Sequence, residues 1–128
     1  MFKRLIPVLP VRDVLAERDF YESLGFERFV DPLESYPESV FAALSSNKEG
    51  KDVLFGVAIA PDFDPDTAEQ RLWWQIEVSD VKALYERAKL ANLEIESPPK
   101  LESWGRRTMR LRSPNGYVVS FEEVSSKK

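Results

Sequence analysis

The chain has no cysteine and no histidine in 128 residues. Without cysteine there is no thiol nucleophile, no disulfide framework and no thiolate metal site. Without histidine the commonest metal ligand and the commonest neutral-pH general base are missing too. Histidine-based serine hydrolases, thiol proteases, zinc hydrolases and histidine-ligated iron oxygenases are thereby excluded. A metal held by carboxylates alone stays open. Long apolar runs are absent as well, so nothing reads as a bilayer span. The start, "MFKRLIPVLPVRD", meets Pro7, Pro10 and the Arg12-Asp13 pair before any apolar core of a secretion signal can form. A cytoplasmic location is the expectation.

What is present is the composition of an ordinary globular protein, 43% hydrophobic and 31% charged. A chain of this length is expected to bury a core of its own as one domain over residues 1–128. The net charge of −4 points away from nucleic acid and leaves room for a cationic ligand.

The chain repeats itself. "PVRDVLAERDFYESLGFE" (residues 10–27) and "EVSDVKALYERAKLANLEI" (residues 77–95) align at an offset of 67, as 78 minus 11, which pairs Val11, Asp13, Val14, Ala16 and Glu27 with Val78, Asp80, Val81, Ala83 and Glu94. The identities fall where a strand hands over to a helix. Each half opens with a β-prone run, Leu5 to Val11 and Trp73 to Val78, followed by an Asp suited to accept from the free N–H groups of a new helix. Val81, Leu84, Tyr85, Ala88 and Ala91 recur at helical spacing, as do Ala16, Phe20 and Leu24 with Tyr21 beside them. Gly25 suits the left-handed position that ends a helix. Three further strands follow each helix: "ERFVD", "SVFAALSS" and "DVLFGVAIA", then "LEIES", "RTMRLRS" and "YVVSFEEV". Ser113-Pro114-Asn115-Gly116 reads as a tight hairpin turn, and Pro98-Pro99 as part of a loop. The organisation is βαβββ twice, with modules at about 1–60 and 71–128 and an acidic, Pro-rich linker at about 61–70.

A duplicated βαβββ chain resembles the vicinal oxygen chelate superfamily of glyoxalases, extradiol dioxygenases, fosfomycin-modifying enzymes and bleomycin-resistance proteins. The resemblance covers nearly the whole chain. It is carried by "VRDVLAERDFYESLGFE", like the family's first helix, and by "SPNGYVVSFEE", like its closing hairpin, with Ser113 where the family usually has Asp. "SPPKLESWGRRTMRLRSPNG" is most similar to the metal-free bleomycin-resistance and glyoxalase-like branch. The resemblance implies an α+β fold in which two modules roll their sheets into a curved half-barrel around a pocket, with the helices outside. It also implies a homodimer. Metal-dependent members place ligands at positions that here carry Ile6, Trp73 and Ser120, a set that does not make a metal first shell. No metal and no cofactor are expected.

The adjacent pair Trp73 and Trp74 then acquires a meaning. Alternation along a strand sends Trp73, Gln75 and Glu77 to the pocket face and Trp74, Ile76 and Val78 to the helix layer. A Trp where the metal-bound residue would sit makes a stacking surface, although plain packing of Trp73 is equally open. Trp104, between Pro98-Pro99 and Gly105, is either a lid or a loop anchor, with the lid preferred. The facing of Phe41 and Phe55 stays open. Arg106, Arg107, Arg110 and Arg112 either balance Glu122 and Glu123 on a solvated face or supply, through Arg107 or Arg110, an anion clamp. Asp62, Asp64, Asp66 and Glu69 keep the linker soluble or attract a cation.

The favoured expectation is a small-molecule binder that sequesters an aromatic or drug-like ligand through Phe41, Trp73, Gln75, Trp104, Arg110, Ser120 and Glu122. No nucleic-acid or membrane partner is expected. The alternatives are a lyase or isomerase with Glu77 or Glu122 as base, a carboxylate-ligated metal enzyme, and a protein-contact module.

Overall fold

The computed structural model describes residues 1, 5–29, 37, 39–45, 53–60, 62, 64, 70 and 74–124, the side chain of Val53 excepted. The chain divides into two compact units, Met1–Asp64 and Pro65–Lys128. Each repeats the same order. The first has β1 (Val8–Val11), α1 (Val14–Ser23), β2 (Glu27–Phe29), β3 (Phe41–Ser45) and β4 (Val53–Ile59). The second has β5 (Trp74–Val78), α2 (Val81–Leu90), β6 (Glu94–Leu101), β7 (Arg107–Arg112) and β8 (Val118–Glu123). Both sheets are mixed and four-stranded, ordered β1-β4-β3-β2 and β5-β8-β7-β6, with the first and last strands of each unit parallel. No described helix is long and apolar enough to cross a membrane.

The offset of 67 is physical. Both helices are ten residues long and begin at positions 14 and 81. Asp13 and Asp80 sit in extended backbone and accept from the N–H groups of Ala16 and Ala83, each at 3.0 Å. The ends match too. Gly25 N–H donates to the Glu22 carbonyl and Phe26 N–H to Tyr21, while Asn92 N–H donates to Lys89 and Leu93 N–H to Ala88. Both are Schellman closures, with a left-handed residue at the turn: Gly25 at φ 111° and Asn92 at φ 57°. Asn92 is the helix stop that the sequence reading missed, and Asn is the residue besides Gly that tolerates this conformation. An additional N–H of α2, that of Val81, is satisfied by Glu123 Oε1 at 3.1 Å. Replacing either cap, Asp13→Ala or Asp80→Ala, is expected to cost about 1 kcal/mol in urea unfolding.

In the first unit one face of the sheet is packed. Leu9, Val11, Ala42, Leu44, Phe55 and Val57 share that face by register and are buried. The ring of Phe55 meets Tyr21 of α1 at 4.8 Å between centroids, so this is the helix side. Tyr21 also contacts Phe20 and Phe26 edge-on. Phe55 is thus a core residue. In the second unit Trp74, Ile76, Met109, Leu111, Val119 and Phe121 share the helix face by the same argument, with Met109, Leu111, Val119 and Phe121 fully buried. Trp74 is half-buried.

Three expectations need correction. The first strand begins at Val8 rather than Leu5, since Leu5, Ile6 and Pro7 precede the ladder. Pro98 and Pro99 lie inside β6, not in a loop. The strand is at the sheet edge and its pairing shifts between Ser97 and Lys100, the setting in which a residue without N–H is tolerated. Ala91, expected on the buried stripe of α2, is exposed at the helix C-cap. The Ser113–Tyr117 turn forms as expected, closed by Ser113 N–H to the Tyr117 carbonyl at 2.8 Å and by Gly116 at φ 89°.

Candidate functional site

The face of the second sheet opposite α2 carries polar side chains in two cross-strand rows. Gln75, Ser120, Arg110 and Ser97 are successive partners across β5, β8, β7 and β6. Glu77, Glu122, Thr108 and Lys100 form the adjacent row. Strand alternation explains the segregation: the odd-numbered β7 positions Met109 and Leu111 fill the core, and Thr108 and Arg110 face the other way.

Several of these polar groups are withdrawn from water. Thr108 is 2% exposed, Ser120 4% and Glu122 6%. Gln75 Nε2 donates to Glu122 Oε2 at 3.1 Å. Thr108 Oγ1 donates to Glu102 Oε2 at 2.5 Å. Arg106 lies 3.8 Å from both Glu77 and Glu122, an ion-pair distance beyond a hydrogen bond. Among the described residues the Ser120 hydroxyl has no partner. Burying a hydroxyl unpaired is costly, so the native state holds at this spot a group that an incoming molecule can satisfy.

The corresponding face of the first sheet is apolar and small-surfaced. Phe41, Ala43, Gly56 and Ala58 share it by register. A Cβ at Gly56 would stand 2.8 Å from Phe41 Cζ, so the ring lies directly over the glycine. Gly56 is the reason that a benzyl group can lie down on this strand.

Of the seven residues expected at the site, Gln75, Arg110, Ser120 and Glu122 are brought together on the helix-free face of the second sheet. Phe41 occupies the helix-free face of the first sheet, half-buried. Trp104 is 57% exposed on the turn between β6 and β7, which is closed by Gly105 N–H to the Glu102 carbonyl and Glu102 N–H to the Arg106 carbonyl. Trp73 lies outside the described residues, as does most of the 61–70 segment. The basic cluster divides. Arg112 is held by Glu96 at 3.1 Å, by the Gly116 carbonyl at 3.1 Å and by Glu94 at 3.5 Å. Its hydrogen bond to Glu96 raises its pKa above the ordinary guanidinium value against the opposing effect of burial, with the charges of Glu96 and Glu94 adding to the rise. It is a structural residue of the β6–β7 pair. Arg106 pairs with Glu122 as the balanced-face reading expected, and with Glu77 besides.

Sequence reasoning missed Thr108 as a member of this surface, and the Glu77 partner of Arg106. It also missed Glu17, which is fully buried in α1. The signal was available for Glu17: it stands three residues after Val14 and four before Tyr21, on the buried stripe.

The donor set does not suit a metal. Ile6 offers no ligand atom and Ser120 offers a neutral hydroxyl. The carboxylates of Glu77 and Glu122 already share a guanidinium. Among the described residues no group of three or more acidic, histidine or cysteine side chains is placed to hold a metal ion.

The sequence profile of the Glyoxalase/Bleomycin resistance protein/Dioxygenase superfamily matches residues 5–121, and the chain belongs to that superfamily. No curated protein sequence matches it. Among solved structures, a bleomycin-binding protein complexed with bleomycin superposes with a TM-score of 0.68 at 21% identity, covering 97% of this chain and 100% of the other. The bleomycin-binding protein of Streptomyces verticillus, complexed with copper(II)-bleomycin, gives a TM-score of 0.66 at 25% identity, covering 98% and 100%. The bleomycin resistance determinant encoded on the transposon Tn5 gives 0.66 at 21% identity, covering 95% and 98%. The fold of two βαβββ units is the fold of these proteins.

Proposed function

We propose that the chain is a metal-free small-molecule binding protein that sequesters an aromatic or drug-like ligand, as a cytoplasmic homodimer of single-domain subunits. Phe41, Trp73 and Trp104 supply aromatic surface; Gln75, Arg110, Ser120 and Glu122 supply the polar contacts. The observation that carries the reading is the Ser120 hydroxyl, buried and, among the described residues, unpartnered in the middle of a polar row on the sheet face opposite α2. A binder needs no acid-base residue, which suits a chain without histidine. Bleomycin is the first probe because solved proteins of this fold carry it.

Titration with metal-free bleomycin and with copper(II)-bleomycin is expected to quench tryptophan emission saturably. Trp104→Ala is expected to weaken binding about tenfold, the effect of removing an aromatic anchor. Absence of saturable quenching by bleomycin and by a panel of planar aromatic drugs would overturn the reading. Native mass spectrometry of the same sample reports subunit count and metal content together.

A further inference from the structure

Glu122 is an acceptor with capacity to spare. Among the described residues its carboxylate, 8% exposed, receives one hydrogen bond, from Gln75, and faces Arg106 at 3.8 Å. An ionised carboxylate has about four acceptor positions. The cation facing it is loosely held: Arg106 comes from the end of the β6–β7 turn, its side chain is 47% exposed, and it reaches Glu77 only at 3.8 Å. A partly exposed pair of this kind is weak and easily exchanged. One row away, the buried Ser120 hydroxyl has no partner among the described residues. Ser120 and Glu122 point to the same face of β8, about 7 Å apart by strand geometry.

We infer that Glu77 and Glu122, with Ser120, form a recognition site for a planar cationic group of the ligand, an amidinium or guanidinium, and that Arg106 is the counter-cation which this group displaces. The inference rests on the proposed binding role and specifies the chemistry that the polar face selects. A fork of N–H donors is what the two vacant kinds of acceptor can use together: the remaining oxygen positions of Glu122 and the lone pairs of Ser120. An anion would lie against the carboxylates of Glu77 and Glu122, which outnumber Arg110, the cross-strand partner of Ser120. A neutral amide supplies donors but leaves Arg106 in place, so it gains nothing from the exchange.

The test uses the full chain, isotope-labelled, with benzamidine as the planar cation, benzamide as its neutral counterpart and benzoate as the anion. The readouts are the Gln75 side-chain amide and the backbone amides of Ser120 and Glu122. Benzamidine is expected to shift all three saturably, benzamide to bind at least about tenfold more weakly, and benzoate to leave them unmoved. Arg106→Ala removes the competitor and is expected to tighten benzamidine about fivefold, with Arg106→Lys restoring the original affinity. Glu77→Gln, at a carboxylate whose side chain is 65% exposed, is expected to weaken benzamidine by a similar factor. Equal binding of benzamide and benzamidine, or weaker benzamidine binding in Arg106→Ala, overturns the inference and leaves the binding role standing. Silence of the three amides toward every fragment while bleomycin still quenches tryptophan emission does the same. Silence toward the fragments and bleomycin alike overturns both.

Discussion

Tyr21→Ala is expected to lower stability by about 3–5 kcal/mol, the range for deleting a fully buried aromatic ring. Tyr21 is 0% exposed and stands at the centre of four rings, with centroid distances of 4.9 Å to Phe20, 5.6 Å to Phe26 and 4.8 Å to Phe55. The three edge-on contacts add to the area that the ring removes from water. The same ring braces the helix end, because Phe26 closes the Schellman turn onto the Tyr21 carbonyl and packs on its side chain. A loss of this size is a large share of the ~5–15 kcal/mol that holds a domain, and corresponds to about 10–20 °C in Tm. Phe26→Ala is expected to cost less than half as much, since Phe26 is half-buried and touches two of the rings. Urea unfolding of the two variants checks the order. A Tyr21→Ala loss below about 1.5 kcal/mol would mean that the cluster is not the core of the first unit.

What was legible in the sequence was local. Asp13 and Asp80 announce helix starts because a cap is a contact between residues three apart, and both caps form. Ser113 to Gly116 announce a turn for the same reason. The repeat was legible because both handovers use the same chemistry at the same offset. The second strand order, its register and the facing of Phe41 and Phe55 were not legible, because they depend on partners that lie far away in the chain: Phe55 pairs with Leu44 and Phe41 with Ala58. Pro98 and Pro99 misled for a related reason. Proline forbids a central strand but not an edge strand, and edge position is a property of the whole sheet. At the site, alternation placed Gln75 and Glu77 on one face and the resemblance pointed to Ser120 and Glu122; the register then added Thr108 and fixed the facing of Arg110. The Arg106 contact to Glu122 was anticipated from charge balance, and its contact to Glu77 was out of reach, because a turn residue has no alternation to follow.

Ser120→Ala is expected to make the protein more stable and a poorer binder. Removing a buried hydroxyl that has no partner among the described residues relieves its desolvation cost, worth about 1–3 kcal/mol, against a small loss of contact from one atom. The net gain is about 1 kcal/mol, or about 4 °C in Tm. Thr108 provides the control on the same face of the same sheet. Its hydroxyl is buried too, but it donates to Glu102, so Thr108→Val strips a half-buried carboxylate of its donor and is expected to destabilise by about 1–2 kcal/mol. Two hydroxyls of similar burial thus carry opposite signs, decided by whether folding found them a partner. Structural polar groups are satisfied by the fold itself, whereas a site keeps unsatisfied groups at a cost in stability that binding offsets. The discriminating result is therefore joint: Ser120→Ala should gain stability in urea unfolding and lose at least about fivefold in affinity for bleomycin, since the ligand's contact to the hydroxyl is gone. A variant that is more stable and binds as before would make Ser120 a packing imperfection rather than a recognition group. A variant that is less stable would mean that the hydroxyl is satisfied in solution and that the polar face is structural.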